Sequence, residues 1–250
     1  VENGAEWIVL PENFGMIGAR QEDVVEFREQ LGSGPLQGFL AEQSAKHRIN
    51  IIGGTLPMRT GDDKKYRNSL LVYNRRGENT ARYDKIHLFD VNLPGGQTIR
   101  ESATIAPGDQ AVLAPGGGTV MGLSICYDLR FAALYRTLAQ AGAEILAIPA
   151  AFTRITGQAH WHVLNRARAI ECGAFVIAPC QYGTLDGGAE CYGHSLIVAP
   201  WGEVLADGGE DEGFAIAEID LALVSEARQR IPALTHDRAF TLEISAEAAE

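Results

Sequence analysis

The sequence predicts an α/β protein in which helices cover both sides of one or two mixed β-sheets. Strand-like and helix-like segments alternate through the middle of the chain, and consecutive strand-like segments gather near its end. A third observation sets the domain count. The 250 residues, 46% of them hydrophobic, can bury one full core. No internal repeat, low-complexity stretch or long linker divides residues 1–250, which are read as a single domain.

Element by element, the start "VENGAEWIVLPENF" reads as a helix tail ended at Gly4, a strand from Trp7 to Leu10 and a loop begun by Pro11. A helix tail implies a helix before it, so residues 1–6 are taken as the remnant of a βα unit, about 30 residues long, that would precede Val1. "PLQGFLAEQSAKH" carries Leu36, Phe39 and Leu40 at helical spacing, and "INIIGGTLP" follows as a buried strand. "SLLVYN" and "TARYDK" flank "RRGE", a hairpin signal with Gly77 in the turn. Next come "VMGLSIC" as a strand, "RFAALYRTLAQAG" as a helix closed by Gly142, "EILAIPA" as a strand and "GQAHWHVLNRARAIECG" as a helix closed by Gly173. "AFVIAP", "GHSLIVAP", "GEVLA" and "GFAIAEID" read as strands and "LALVSEARQRI" as the last helix, before a loose polar tail over 244–250.

Charge and composition exclude several classes of partner. A net charge of −11 without a dense Lys/Arg cluster argues against nucleic acid. No uninterrupted apolar run reaches the ~18 to 20 residues of a membrane span, and the first residues lack the basic-then-apolar order of a secretory signal. Four cysteines in a chain this long do not make a small secreted scaffold, so a reducing compartment, the cytoplasm, is expected, without disulfides.

Cofactor signals are equally thin. "APGGGTV" lacks the Lys-Ser/Thr of a P-loop and reads as a tight turn. Cys180, Cys191 and His194, or His160 and His162, could be assembled into a zinc site, but none forms a C-x-x-C pair or an H-E-x-x-H helix. Neither metal nor cofactor is expected. No G-x-S-x-G elbow marks a serine hydrolase.

Three polar residues at the ends of strand-like segments remain: Glu12 after "WIVLP", Lys85 after "ARYD" and Cys126 after "GLSI". Strand ends are where sites assemble in sheet-based folds. A carboxylate that takes a thiol proton, a cation that favours thiolate and oxyanion, and a cysteine nucleophile are the parts of an acyl transfer. Singly, each also suits a packed thiol or a solvated charge.

With these residues in place, the chain resembles the nitrilase superfamily of carbon-nitrogen hydrolases from about Trp7 to Phe240, through "LPENF", "RYDKIHLFD" and "GLSICYDLRF" in that order. "TGQAHWHVLNRARAIE" and "YGHSLIVAPWGEVLA" are similar to the Nit-type branch, whose members act as amidases on deaminated glutathione or as ω-amidases on ω-amides of 2-oxo acids. The resemblance implies a four-layer α-β-β-α sandwich whose first strand and helix are absent from the given chain. It makes Cys126 the nucleophile, Glu12 the general base, Lys85 and the Tyr127 N–H the oxyanion donors, and Glu101 of "RESATIAPG" a supporting carboxylate. It also implies a homodimer or larger homo-oligomer, with "GQAHWHVLNRARAIE" at the contact.

The expected reaction is hydrolysis of a small-molecule amide through a cysteine thioester. Competing readings are an N-carbamoyl amino acid hydrolase or another branch of the superfamily, including a nitrilase. From another class comes a non-catalytic binding or scaffold protein, which has no need of all three residues. Substrate contacts are sought in the loops "AFTRITGQAH" and "CQYGTLDGGAECYGH", at Arg154, Thr156, His160 and Tyr182, with Arg154 suited to a carboxylate. Asp128 and Arg130 are read as an ion pair fixing the turn after the cysteine.

Overall fold

Residues 3–17, 21–94, 96, 98–185 and 188–244 are described by the computed structural model, and they build two β-sheets. The first holds β1 (Trp7–Val9), β2 (Asn50–Ile52), β3 (Leu56–Arg59), β4 (Tyr66–Tyr73) and β5 (Asn79–Asp84). β1 lies parallel to β2, while β4 runs antiparallel to β2, β3 and β5. A ribbon of β6 (Asp90–Asn92) and β7 (Thr98–Arg100) leads to the second sheet. There β8 (Val112–Gly116), β9 (Thr119–Leu123), β10 (Ile145–Ala147) and β11 (Phe175–Ala178) come first. A second ribbon, β12 (Tyr182–Thr184) and β13 (Glu190–Tyr192), precedes β14 (Leu196–Val198) and β15 (Val204–Asp207). The second sheet has the order β15-β14-β11-β10-β9-β8, with β9, β10 and β11 parallel. The helices are α1 (Gln21–Val24), α2 (Pro35–His47), α3 (Ala132–Gln140), α4 (Arg154–Cys172) and α5 (Ala222–Arg230).

β4 shows how the layers stack. Its residues alternate sides, as strand geometry requires: Leu70 and Val72 join the core shared with Met121 and Leu123 of β9, whereas Leu71 and Tyr73 pack with Leu40 of α2. The two sheets therefore meet face to face, α2 covers the outer face of the first, and α3 and α4 cover that of the second. This is the four-layer α-β-β-α sandwich.

Local chemistry sets the joints. Gly117 and Gly118, at φ +58° and +81°, form the two-residue turn between β8 and β9, so "APGGGTV" is the expected tight turn. Gly77 turns β4 into β5, and Gly142 and Gly173 follow α3 and α4, all at positive φ. The buried Glu29 carboxylate accepts the Leu36 and Gln37 N–H groups at 2.7 and 3.2 Å, capping the positive end of α2.

Several boundaries differ from expectation. "INIIGGTLP" splits into β2 and β3 because Gly54 takes φ +53°. "GFAIAEID" is not a strand: Phe214 and Ile216 are exposed, and among the described residues none forms a ladder with it. Its alternation is genuine, but a strand exists only with a partner. "AFTRITGQAH" is not wholly a loop, since α4 starts at Arg154. Gly4 has φ +79°, while residues 1–2, part of the expected helix tail, and 245–250 of the expected loose tail lie outside the described residues. All four cysteines are free, and among the described residues no helix is long and apolar enough to cross a membrane.

Candidate active site

The strand edge runs on past Leu123: the Ser124 and Cys126 N–H groups donate to Ala147 and Pro149 carbonyls at 3.1 and 2.9 Å. At Cys126 the chain breaks away with φ +47°, a left-handed conformation uncommon outside glycine. A 3₁₀ turn over Cys126–Arg130 follows. Such a conformation costs about 1–3 kcal/mol and persists where surroundings dictate it. Here Arg168 of α4 donates twice to the Leu129 carbonyl, at 2.9 and 2.7 Å, and Asp128 accepts the Ile125 N–H at 2.9 Å.

Asp128 does not pair with Arg130, contrary to the sequence expectation. Its fully buried carboxylate is enclosed by the Tyr83 hydroxyl at 2.7 Å, the His87 N–H at 3.0 Å and His87 Nδ1 at 2.7 Å. These donors satisfy the carboxylate from inside. Arg130 instead reaches His160 Nδ1 at 3.2 Å and lies over the rings of Tyr127 and Phe152.

Beside Cys126, three distant segments converge. Lys85, just past β5, places Nζ 2.9 Å from Glu12 Oε1 and 2.8 Å from Glu101 Oε1. Glu12 also accepts from Asn68 Nδ2 and the Ala151 N–H, both at 2.9 Å, and its carbonyl accepts from Gln181 Nε2 at 3.0 Å. Glu101 Oε2 takes the Phe89 N–H at 2.6 Å. Each carboxylate is thus held at both oxygens.

Burial sets the resting charges. It works against the Lys85 ammonium, but Glu101, Glu12 and Cys126 outweigh it and hold the lysine well above its ordinary value. Burial pushes Glu101 above the usual carboxylate range, with Lys85 pulling down and Glu12 pushing up. Burial and the Glu12 charge push the Cys126 thiol well up, against the pull of Lys85. The resting group is a thiol beside a protonated lysine.

Above this cluster opens a cavity of about 520 Å³, lined by Glu12, Glu101, Cys126 and Tyr127 at one end and by Arg154 and Thr156 at another. The Arg154 guanidinium pairs with Glu210 at 2.9 Å. Thr156 Oγ1 lies 2.7 Å from Thr153 Oγ1 in the first turn of α4. His160 and Tyr182 are not in the lining. His160 sits six residues, about 9 Å, further along the helix than Arg154, where its Nδ1 meets Arg130, and Tyr182 is exposed on β12. The structure thus brings Arg154 and Thr156, but neither of those two, to the cavity. Asn68 and Gln181 escaped sequence reading; Asn68 was legible only as one amide in a buried strand, where burial demands a partner.

A sandwich of this topology, with a glutamate, a lysine and a cysteine converging below one cavity, is the architecture of a carbon-nitrogen hydrolase. The chain belongs to that family: the carbon-nitrogen hydrolase model matches residues 1–229. It is 42% identical over 239 residues to a deaminated glutathione amidase of Synechocystis, covering 94% of this chain and 87% of that one. It is 38% identical over 236 residues to the human omega-amidase NIT2, covering 94% and 84%. Among solved structures, Saccharomyces cerevisiae Nit3, a member of branch 10 of the nitrilase superfamily, superposes with a TM-score of 0.83 at 31% identity, covering 94% of this chain and 83% of that one.

Proposed function

We propose that the protein is an amidase that releases ammonia from a small linear amide through a thioester on Cys126. The observation that carries this reading is the buried Lys85 ammonium shared between Glu12 and Glu101, behind a cavity whose wall holds both carboxylates and the Cys126 thiol. Glu12 takes the thiol proton as sulfur attacks the amide carbon. Lys85 and the Tyr127 N–H, in the first turn after Cys126 where amides lack an intrahelical acceptor, hold the oxyanion. Nitrogen leaves as ammonia with the proton from Glu12, and a water deprotonated by Glu12 then hydrolyses the thioester to a carboxylic acid. Glu101 keeps Lys85 charged and aimed. This chemistry uses protein groups alone.

The names of the relatives and Arg154 on the cavity wall support an amide that also carries a carboxylate, either deaminated glutathione or the ω-amide of a 2-oxo acid. A cytoplasmic homo-oligomer is part of the proposal. The exposed apolar Val163 and Ile170 of α4, with Trp201 nearby, offer the contact face.

The test is ammonia release from deaminated glutathione, 2-oxoglutaramate and N-carbamoyl amino acids by wild type and Cys126→Ala, with sedimentation of the same samples. Release from one of the first two, lost in the variant, is expected. Release retained in the variant would overturn the mechanism, and preference for a carbamoyl compound would overturn the substrate class.

A further inference from the structure

Away from the cavity floor, two imidazoles and a carboxylate from three different segments point at one spot. His162 lies on the third turn of α4, His194 follows β13, and Asp207 ends β15. His162 Nε2 and His194 Nδ1 each lie 3.0 Å from the same oxygen, Asp207 Oδ2, and the three ligand atoms fall within 4.8 Å of one another. Sequence reasoning combined His194 with cysteines and His162 with His160; the fold combines the two histidines with each other.

We propose that His162 Nε2, His194 Nδ1 and the Asp207 carboxylate form a binding site for a borderline divalent transition-metal ion such as zinc. Ligand type agrees, because imidazole with one carboxylate suits zinc and its neighbours, whereas calcium and magnesium prefer all-oxygen sets. Spacing agrees as well: tetrahedral ligands at about 2.0–2.1 Å from zinc lie about 3.3 Å apart, close to the two 3.0 Å separations. These two separations need to spread by only about 0.3 Å.

The ligands are held before any ion arrives. The His194 ring stacks on Tyr192 with centroids 4.5 Å apart, and its backbone is fixed by Trp161 Nε1 on its carbonyl at 2.7 Å and by its N–H on Gly209 O at 2.6 Å. The Gly209 N–H binds Asp207 Oδ1 at 2.9 Å. The far ring nitrogen of His194, Nε2, faces Glu210 Oε1 at 3.7 Å. A carboxylate behind a ligating imidazole fixes its tautomer.

Proton accounting closes. A ligating nitrogen carries no proton, so in the bound state a ring proton sits on the other nitrogen, Nδ1 of His162 or Nε2 of His194, and any proton the facing nitrogen held before is released to solvent. His162 and Asp207 side chains are each 34% exposed, which leaves room for water as the fourth ligand. The bound ion would tie α4, β15 and the segment after β13 together.

Metal-free protein carrying Cys126→Ala and Cys191→Ser, which together remove the two thiols of the cavity wall as competing ligands, is titrated calorimetrically with zinc chloride and separately with cobalt(II) chloride. One ion per chain, a zinc-dependent rise in melting temperature and a cobalt spectrum without thiolate charge-transfer absorption are expected. His162→Gln and Asp207→Asn, checked for folding by circular dichroism, should each weaken zinc binding by at least about tenfold. No uptake, uptake unchanged by both substitutions, or a thiolate charge-transfer band would overturn the site. If one variant does not fold, the other and the cobalt spectrum still decide.

Discussion

Two cation–carboxylate groups contribute to the wall of one cavity, Glu12 and Glu101 from the first and Arg154 from the second, with almost the same distances and opposite surroundings. Lys85 sits 2.8 and 2.9 Å from two carboxylates with its side chain wholly buried, while Arg154 sits 2.9 Å from Glu210 with a third of its side chain exposed. Distance does not distinguish them; solvent does. A buried ammonium cannot lose its partners, nor they it, without stranding charge in a poor solvent. An exposed pair is held by little and can exchange Glu210 for another anion. The first arrangement suits chemistry that needs fixed charges, the second suits recognition.

Lys85→Met should produce the largest effect. It leaves Glu12 and Glu101 facing each other without a cation, and turnover should fall by about 10³-fold, with a loss of about 3–5 kcal/mol in urea unfolding. A variant as stable as wild type would break the contrast, because the pair would then be no more demanding than a surface one.

How far such contrasts could be read in advance depends on the residue. Glu12, Lys85 and Cys126 were legible as candidates because each follows a strand-like segment, where sites assemble in sheet-based folds. The layers were legible from alternation of the kind β4 shows. Burial was not: nothing in "TRITGQAH" states that α4 begins at Arg154, and that start carries His160 a turn beyond Thr156 along the axis, past the cavity wall. Asn68 looked like one more strand residue because its partner, Glu12, is 56 positions away. The Asp128–Arg130 expectation failed for the same reason. Neighbours in sequence were paired, whereas the fold supplied Tyr83 and His87 from a distant segment.

Arg154→Ala is the second, smaller test. Loss of a charge-assisted contact to a substrate carboxylate should raise KM by about 10- to 100-fold, with kcat nearly unchanged. Unfolding should be nearly unchanged, since the exposed pair contributes little to stability. A fall in kcat without a change in KM would place the arginine in the chemistry and erase the distinction between the two pairs.

The smallest effect concerns the resting thiol. Because burial and Glu12 raise Cys126 well above its ordinary value, the thiolate fraction is still growing at pH 9. Iodoacetamide labelling of Cys126 should therefore accelerate about tenfold per pH unit between pH 7 and 9, and Arg154→Ala should leave that slope alone. A plateau below pH 8 would mean that Lys85 outweighs burial.

The shared lysine has one more consequence, for how a turnover ends. Two carboxyl groups divide a single ammonium at the cavity floor. In the proposed reaction the end of the substrate that reaches the floor is a neutral amide, its carboxylate lying elsewhere, and an anion is made in the amide's place. The amide meets no repulsion there, while the newly formed carboxylate faces two carboxyl groups whose one counter-charge is already claimed. The floor that assists the attack thus also expels what it makes, and departure is favoured by the same electrostatics that hold Lys85 in place.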